Sequence, residues 1–254
     1  MPAVGTYVAL GDSFTEGVGD PYPDGSLRGW ADLFATELAA AAPGLRYANL
    51  GIRGKLLGQV LAEQIPVATG LAPDLVSLAA GGNDLMRRKA DPDALAASFE
   101  LAVTSLRAAG GQVLIFTGFD PSRIPLLRMV RDKAAAYNDR LREIARRHDC
   151  LHVDLWSMSV LADSRVWCAD RLHLGPEGHR RVALRACEAA GLPVREDWRE
   201  PLPATIAGQP GWLTARRADL RWAREYAGPW VQRRLRGVSS GDGLPPKRPD
   251  LLPL

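Results

Sequence analysis

The sequence predicts a three-layer α/β/α sandwich around a parallel sheet. Two observations carry this reading. Short, nearly continuous apolar runs alternate five times with longer helical patterns between residues 6 and 190. Runs of that kind suit strands buried on both faces of a parallel sheet. The chain also has 254 residues, of which 46% are hydrophobic and 24% charged. A domain of that size can bury about 70–75% of its unfolded surface with no metal or disulfide staple.

The first run, Thr6–Leu10, ends at Gly11, and a helical pattern follows over 30–42. Arg46–Leu50 precedes Gly51, with a helical pattern over 56–65. Leu75–Leu78 leads into Ala79-Ala80-Gly81-Gly82. The helix after it, 92–109, is the clearest. Asp91 is a good N-cap and Pro92 a good first residue, and Gly110-Gly111 supplies the stop. Leu95, Phe99, Val103 and Leu106 fall on one face of it. Gln112–Thr117 ends at Gly118 and precedes a helix over 130–148. Leu151–Leu155 is the fifth run, and a helix over 176–190 closes the pattern. Right-handed crossovers place the reactive groups at the carboxyl ends of the strands.

Composition shifts after Gly191. Nine of the nineteen prolines and four of the seven tryptophans lie beyond residue 192. We therefore expect a body over 1–194 and a Trp/Arg/Pro-rich extension over 195–254. In the extension, Thr214 could cap a helix carrying Leu220, Ala223 and Ala227 on one face. Gly228-Pro229 should break or kink it, because Pro229 lacks the N–H that the ladder needs. A second short helix could run to Arg236, and 239–254 reads as extended. Trp198, Trp212, Trp222 and Trp230 are expected to dock the extension on the body, since a solvated tail is poor in large aromatics. Arg216, Arg217, Arg221, Arg224, Arg233 and Arg234 would then face outward. That face could be merely solvated, or it could meet an acidic surface or a second copy of the chain in a homo-oligomer.

Several function classes lose support. Residues 195–254 hold 11 Lys/Arg and 7 Asp/Glu, whereas residues 1–194 hold 21 and 22. The body therefore has no basic excess for a nucleic-acid partner. No stretch approaches the roughly 18 uncharged apolar residues of a membrane span, and the first residues lack the basic and apolar regions of a signal peptide. The three cysteines, Cys150, Cys168 and Cys187, have no close pair and suit neither a disulfide framework nor a zinc knuckle. A cytoplasmic location is the expectation.

Four segments carry chemistry. Gly11-Asp12-Ser13-Phe14-Thr15-Glu16-Gly17 follows the first strand. Ser13 could be a nucleophile facing the crevice or a plain N-cap. Asn49-Leu50-Gly51-Ile52-Arg53-Gly54 follows the second, and Gly54 offers a backbone N–H in a turn suited to positive φ or close approach. Gly81-Gly82-Asn83-Asp84 follows the third, and Asn83 offers a side-chain amide donor. Asp170-Arg171-Leu172-His173 follows the last. There the carboxylate can hold one ring nitrogen of His173 and leave the other to take a serine proton. His148, His152 and His179 lie in helix or strand, so His173 alone has a carboxylate at useful spacing in a loop. The second and third segments alone read more readily as turns, and the Asp170/His173 pair alone could be a surface loop. Together they bring nucleophile, base, orienter and oxyanion donors to neighbouring loops, the set that acyl transfer requires.

These four segments resemble the blocks of the SGNH hydrolase superfamily, also called the GDSL esterase/lipase family, over about residues 5–190. More loosely, Gly29-Trp30-Ala31 and the Arg/Trp-rich tail are similar to actinobacterial members. The resemblance implies a flavodoxin-like sandwich with a five-stranded parallel sheet. It also implies Ser13 as nucleophile, Asp170 and His173 as its partners, and Ser13, Gly54 and Asn83 as oxyanion donors. Gly51 is the competing glycine in the second block, and Phe14 stands where the name-giving motif has Leu. The implied activity is hydrolysis of a small-molecule carboxylic ester through an acyl-enzyme, with no metal and no cofactor. Carbohydrate O-deacetylase, thioesterase and acyltransferase are the alternatives within the fold. A small-molecule-binding pseudoenzyme is the alternative outside catalysis, although Asp12 and Glu16 would repel a flavin phosphate. The loops 20–28 and 119–129 should flank the pocket. The second holds Pro121, Ile124, Pro125, Leu126, Leu127 and Met129 as an apolar wall or as a patch under the tail.

Overall fold

Successive side chains of a strand point to opposite faces of its sheet, and here both faces are covered. The structure, a computed structural model, describes residues 4–124, 127–204 and 212–254. Strand β1 (Thr6–Gly11) leads into the single turn α1 (Ser13–Glu16), then α2 (Gly29–Ala41) and β2 (Arg46–Asn49). Next come α3 (Leu57–Gln59), α4 (Ile65–Leu71), β3 (Leu75–Ala79), α5 (Gly82–Leu85) and α6 (Pro92–Ala108). β4 (Gln112–Phe116), α7 (Arg131–Arg147), β5 (Leu151–Val153) and α8 (Pro176–Ala189) complete the body. Beyond it lie α9 (Trp212–Trp222), α10 (Gly228–Leu235) and β6 (Arg248–Pro253). No helix among the described residues is long and apolar enough to cross a membrane.

The strand order is β5-β4-β3-β1-β2-β6. β1 to β5 are parallel, and β6 runs antiparallel to β2. Five parallel strands were expected, so β6 is a correction. It occupies an edge, where Pro249 and Pro253 cost no interior ladder bond. Tyr7 and Ala9 of β1 enter one core with Trp30 and Phe34 of α2 and Val182 and Ala186 of α8. Val8 and Leu10 enter the other, with Phe99 of α6 and Leu141 of α7. The chain leaves β1 for β2 on one side and returns to β3 on the other. Loops after β1 and β3 therefore face each other across the switch point, where open α/β sheets bind ligands.

Both interrupted helices answer a proline. A wider turn, Val60–Gln64, joins α3 to α4 just before Pro66. Another, Ala223–Ala227, joins α9 to α10 just before Pro229. The widened turn moves the carbonyl that a proline ring would strike. The expected break at Gly228-Pro229 is therefore a π-turn, and the helix predicted over 56–65 runs on to Leu71.

His179 of α8 is a buried tie between three segments. Its Nδ1 accepts from the Trp30 backbone N–H at 3.1 Å and its Nε2 donates to the Val18 carbonyl at 3.2 Å. Burial is the main reason that its pKa falls to about 4. The unfolded chain takes up this proton near 6.5, whereas the folded chain resists it until near 4. Stability present above about pH 6.5 is therefore lost as the pH falls toward 4, by roughly 3 kcal/mol. Urea unfolding at pH 7 and pH 4 should show the advantage of wild type over His179→Gln shrinking by that order. An advantage unchanged between the two pH values would contradict the assignment.

Candidate active site

The end of β1 admits only glycine. Gly11 has φ +149°, and a Cβ there would strike the Ala79 carbonyl and the Thr15 hydroxyl. Gln64 clamps the same residue, accepting from the Gly11 N–H and donating to the Gly11 carbonyl, both at 2.8 Å. Asp12 then caps α1, its carboxylate accepting from Phe14 N–H at 3.1 Å. This sequence of constraints puts Ser13 at the head of α1, above the carboxyl end of the sheet. Its backbone N–H has no acceptor among the described residues.

The last loop is folded by Asp170. One carboxylate oxygen accepts the backbone N–H groups of Leu172 at 2.9 Å and His173 at 3.0 Å. The other accepts from His173 Nδ1 at 2.6 Å. With Nδ1 donating, the neutral ring presents Nε2 as an acceptor, and the Ser13 hydroxyl lies 3.1 Å from it. Burial acts to raise the Asp170 pKa, but the bonds and charge from His173 outweigh it and hold the carboxyl below its ordinary range. A bridge between Trp167 and Leu174 closes the loop at its base. Gly19 packs so tightly on Cys168 and Leu174 that a Cβ would collide.

The second loop is braced from two sides. Glu16 of α1 accepts Arg53 N–H at 2.6 Å and the Arg53 guanidinium at 2.5 and 3.0 Å. Asn83 Nδ2 donates to the Lys55 carbonyl at 3.0 Å. Between them Gly54 has φ +78°, and Ser239 sits where its Cβ would be. Its N–H has no acceptor among the described residues. The Gly51 N–H, in contrast, is taken by Asn49 at 3.0 Å. Asn83 also donates to Asp12 at 3.0 Å, so both of its amide hydrogens are engaged. Burial raises the Asp12 pKa to about 6.

Ser13, Asn83 and His173 line one cavity, with Asp170 on the His173 ring, whereas Gly54 borders a second cavity that shares Asn83. Sequence reasoning missed Gln64, the Glu16–Arg53 pair and the role of Asp12 as a partner of Asn83. It noted Asp12 and Glu16 only as charges, and nothing in the local pattern marks Gln64.

An apolar cavity of about 200 Å³ opens beside Ser13 and His173 and runs between the sheet and α7. Phe116, Leu127, Val130, Tyr137, Leu141 and Trp167 are among its walls. The expected flanking by loop 20–28 is a correction, since that loop does not line the cavity. It is held elsewhere, through Asp20 to Arg28 and through Lys247, which bonds the Leu27 and Arg28 carbonyls. In loop 119–129, Phe119, Pro121 and Leu127 line the cavity, whereas Met129 is exposed. Pro125 and Leu126 lie outside the described residues. On the other side of Asn83 lies a polar cavity of about 190 Å³, walled by Gly54, Gln59, Arg87, Arg233 and Ser239. Among the described residues no cluster of His, Cys, Asp and Glu could hold a metal ion.

Residues 9–181 match the model of the GDSL-like lipase/acylhydrolase family. A lipase of Streptomyces rimosus is 42% identical over 82 residues, 31% of this chain and 30% of that lipase, so the match spans under a third of the relative's length. Among solved structures, LAE5, an alpha/beta hydrolase enzyme from the metagenome of Lake Arreo, shares the fold at a TM-score of 0.62 and 24% identity. The match covers 75% of this chain and 97% of LAE5. TesA matches at 0.61 and 22% identity, over 72% and 97% of the two chains. Axe2, an acetylxylan esterase from Geobacillus stearothermophilus, matches at 0.59 and 20% identity, over 77% and 96%. With two thirds of its length matched, the chain belongs to the GDSL-like lipase/acylhydrolase family.

Proposed function

We propose that this protein is a serine esterase that hydrolyses carboxylic esters with an apolar acyl group through an acyl-enzyme. The observation that carries the reading is the chain of contacts from Asp170 through His173 to Ser13, opening on an apolar cavity. His173 Nε2 takes the Ser13 proton as Oγ bonds to the ester carbonyl carbon. Asp170 holds the ring and stabilises the imidazolium. The N–H groups of Ser13 and Gly54 meet the oxyanion, and Asn83 joins them by sharing a hydrogen now given to Asp12 or Lys55. The intermediate collapses, the alcohol leaves with the proton from His173, and water repeats the sequence to release the acid.

The cavity sets the acyl preference. An apolar cavity of about 150 Å³ holds benzene, so 200 Å³ suits an acyl chain of about six to eight carbons. The polar cavity beyond Asn83 is where a polar alcohol portion would lie. Acetyl specificity, as in carbohydrate deacetylation, would leave the apolar cavity empty.

Assays with p-nitrophenyl esters from acetate to dodecanoate test this. kcat/KM should peak at about six to eight carbons, and Ser13→Ala should abolish turnover without loss of folding. A maximum at acetate would contradict the acyl assignment, and an active Ser13→Ala the catalytic one.

Asn83→Ala should lower kcat about 10²–10³-fold with little change in KM, because the amide is proposed to bind charge that develops only in the transition state. A change confined to KM would reassign Asn83 to ground-state binding.

A further inference from the structure

The loop that carries Asp170 and His173 contains a backbone conformation that its own residue does not favour. Arg171 has φ +56°, in the left-handed region. The other two such non-glycine residues among the described residues, Ala72 and Asp149, lie at or just beyond the ends of α4 and α7, where left-handed residues are ordinary. Arg171 instead sits between the two residues proposed to orient and perform proton transfer. A long side chain in this region costs conformational energy and persists only where its surroundings hold it.

Within the loop, the Arg171 N–H bonds the Cys168 carbonyl at 2.9 Å and the Cys168 N–H bonds the His173 carbonyl at 2.8 Å, and the C-terminal extension adds a second hold from outside. Trp222, the last residue of α9, donates its indole N–H to the Asp170 carbonyl at 2.8 Å. Asp219, three residues earlier and on the same face of the helix, pairs with the Arg171 guanidinium at 2.8 Å. That guanidinium also stacks over the Trp222 ring, 5.2 Å from its centre. One helix face thus grips the Asp170–Arg171 segment at its carbonyl and at its side chain.

The helix is itself anchored on both sides. Before it, Trp198 is buried against the body and bonds Glu188, and Arg165 donates to the Pro203 carbonyl at 2.6 Å. After it, Ser239 donates to the Arg53 carbonyl at 3.3 Å, and β6 pairs with β2. Trp212 and Trp230, the other two tryptophans expected to dock, have side chains outside the described residues.

We propose that α9 is a positioning element for proton transfer: Trp222 and Asp219 hold the left-handed turn at Arg171 and so set where His173 stands against Ser13. The proposal rests on the catalytic reading given above. The consequence is that the extension is part of the working enzyme. A displacement of the base by about 1 Å can cost on the order of 100-fold in rate, so a remote hydrogen bond can matter. Glycine adopts positive φ with no such support.

The test is a pair of substitutions on the full chain, assayed with a p-nitrophenyl ester. Trp222→Phe keeps the ring and removes the N–H. It should lower kcat about 10–100-fold with KM within about twofold, an effect of misplaced catalytic groups and not of lost binding. In an Arg171→Gly background the same substitution should cost less than about threefold, because the turn no longer needs the latch. If Trp222→Phe does not fold, Asp219→Asn at the half-exposed end of the contact replaces it, with the same expected kcat loss and the same relief by Arg171→Gly. A wild-type kcat in Trp222→Phe, or equal losses in both backgrounds, would overturn the proposal. An inactive wild type, or an active Ser13→Ala, would instead overturn the catalytic reading, so the two failures are distinguishable.

Discussion

The Asp170 carboxylate accepts three N–H groups of its own turn, and those bonds fix His173 within the turn that α9 grips from outside. A carboxylate in that position does two things at once. It closes the loop as a cap would, and it fixes the imidazole tautomer so that Nε2 faces Ser13, 160 residues away in sequence. Charged acceptors make the stronger hydrogen bonds, and removing the carboxylate would free both the loop and the ring. The rest of the structure brings Ser13 to the point where that ring looks.

The sheet supplies the approach. Because β1 lies between β2 and β3, loops from three strands converge where the chain reverses direction across the sheet. Convergence alone leaves each loop free to drift by ångströms. Gln64 on Gly11, Glu16 on Arg53 and Asn83 on both Asp12 and Lys55 remove that freedom. The Glu16–Arg53 pair is buried on the acid side, with the carboxylate only 9% exposed. Breaking one partner of such a pair strands a charge, which typically costs about 3–5 kcal/mol. Its bidentate geometry makes it a brace for the Gly54 turn.

β1 to β4 were legible because each carries apolar residues on both faces, a pattern made by two-sided burial, and β5 by its apolar pair Leu151 and Val153. β6 was not, because it lies at an edge, holds two prolines and leaves most of its side chains exposed. Its pairing depends on Arg248 reaching the Tyr47 carbonyl and Arg46 reaching the Leu251 carbonyl, neither of which has a periodic signature. The site divides similarly. Ser13, Gly54, Asn83, Asp170 and His173 each sit in a turn after a strand, where glycine and polar residues stand out. Gln64 lies inside a helix, and Trp222 lies 52 residues beyond the carbonyl that it bonds. Contacts between distant segments leave no local trace. The loop 20–28 was expected at the pocket, but Lys247 from the tail ties its Leu27 and Arg28 carbonyls to Asp32 of α2.

Reaction with a fluorophosphonate, followed by peptide mass mapping, measures the activated state of the serine with no assumption about substrate. The account predicts one adduct per chain, on Ser13, forming about 10³–10⁴-fold more slowly in Asp170→Asn because that change disturbs the ring's tautomer. Labelling at another residue, or an unchanged rate in Asp170→Asn, would contradict it.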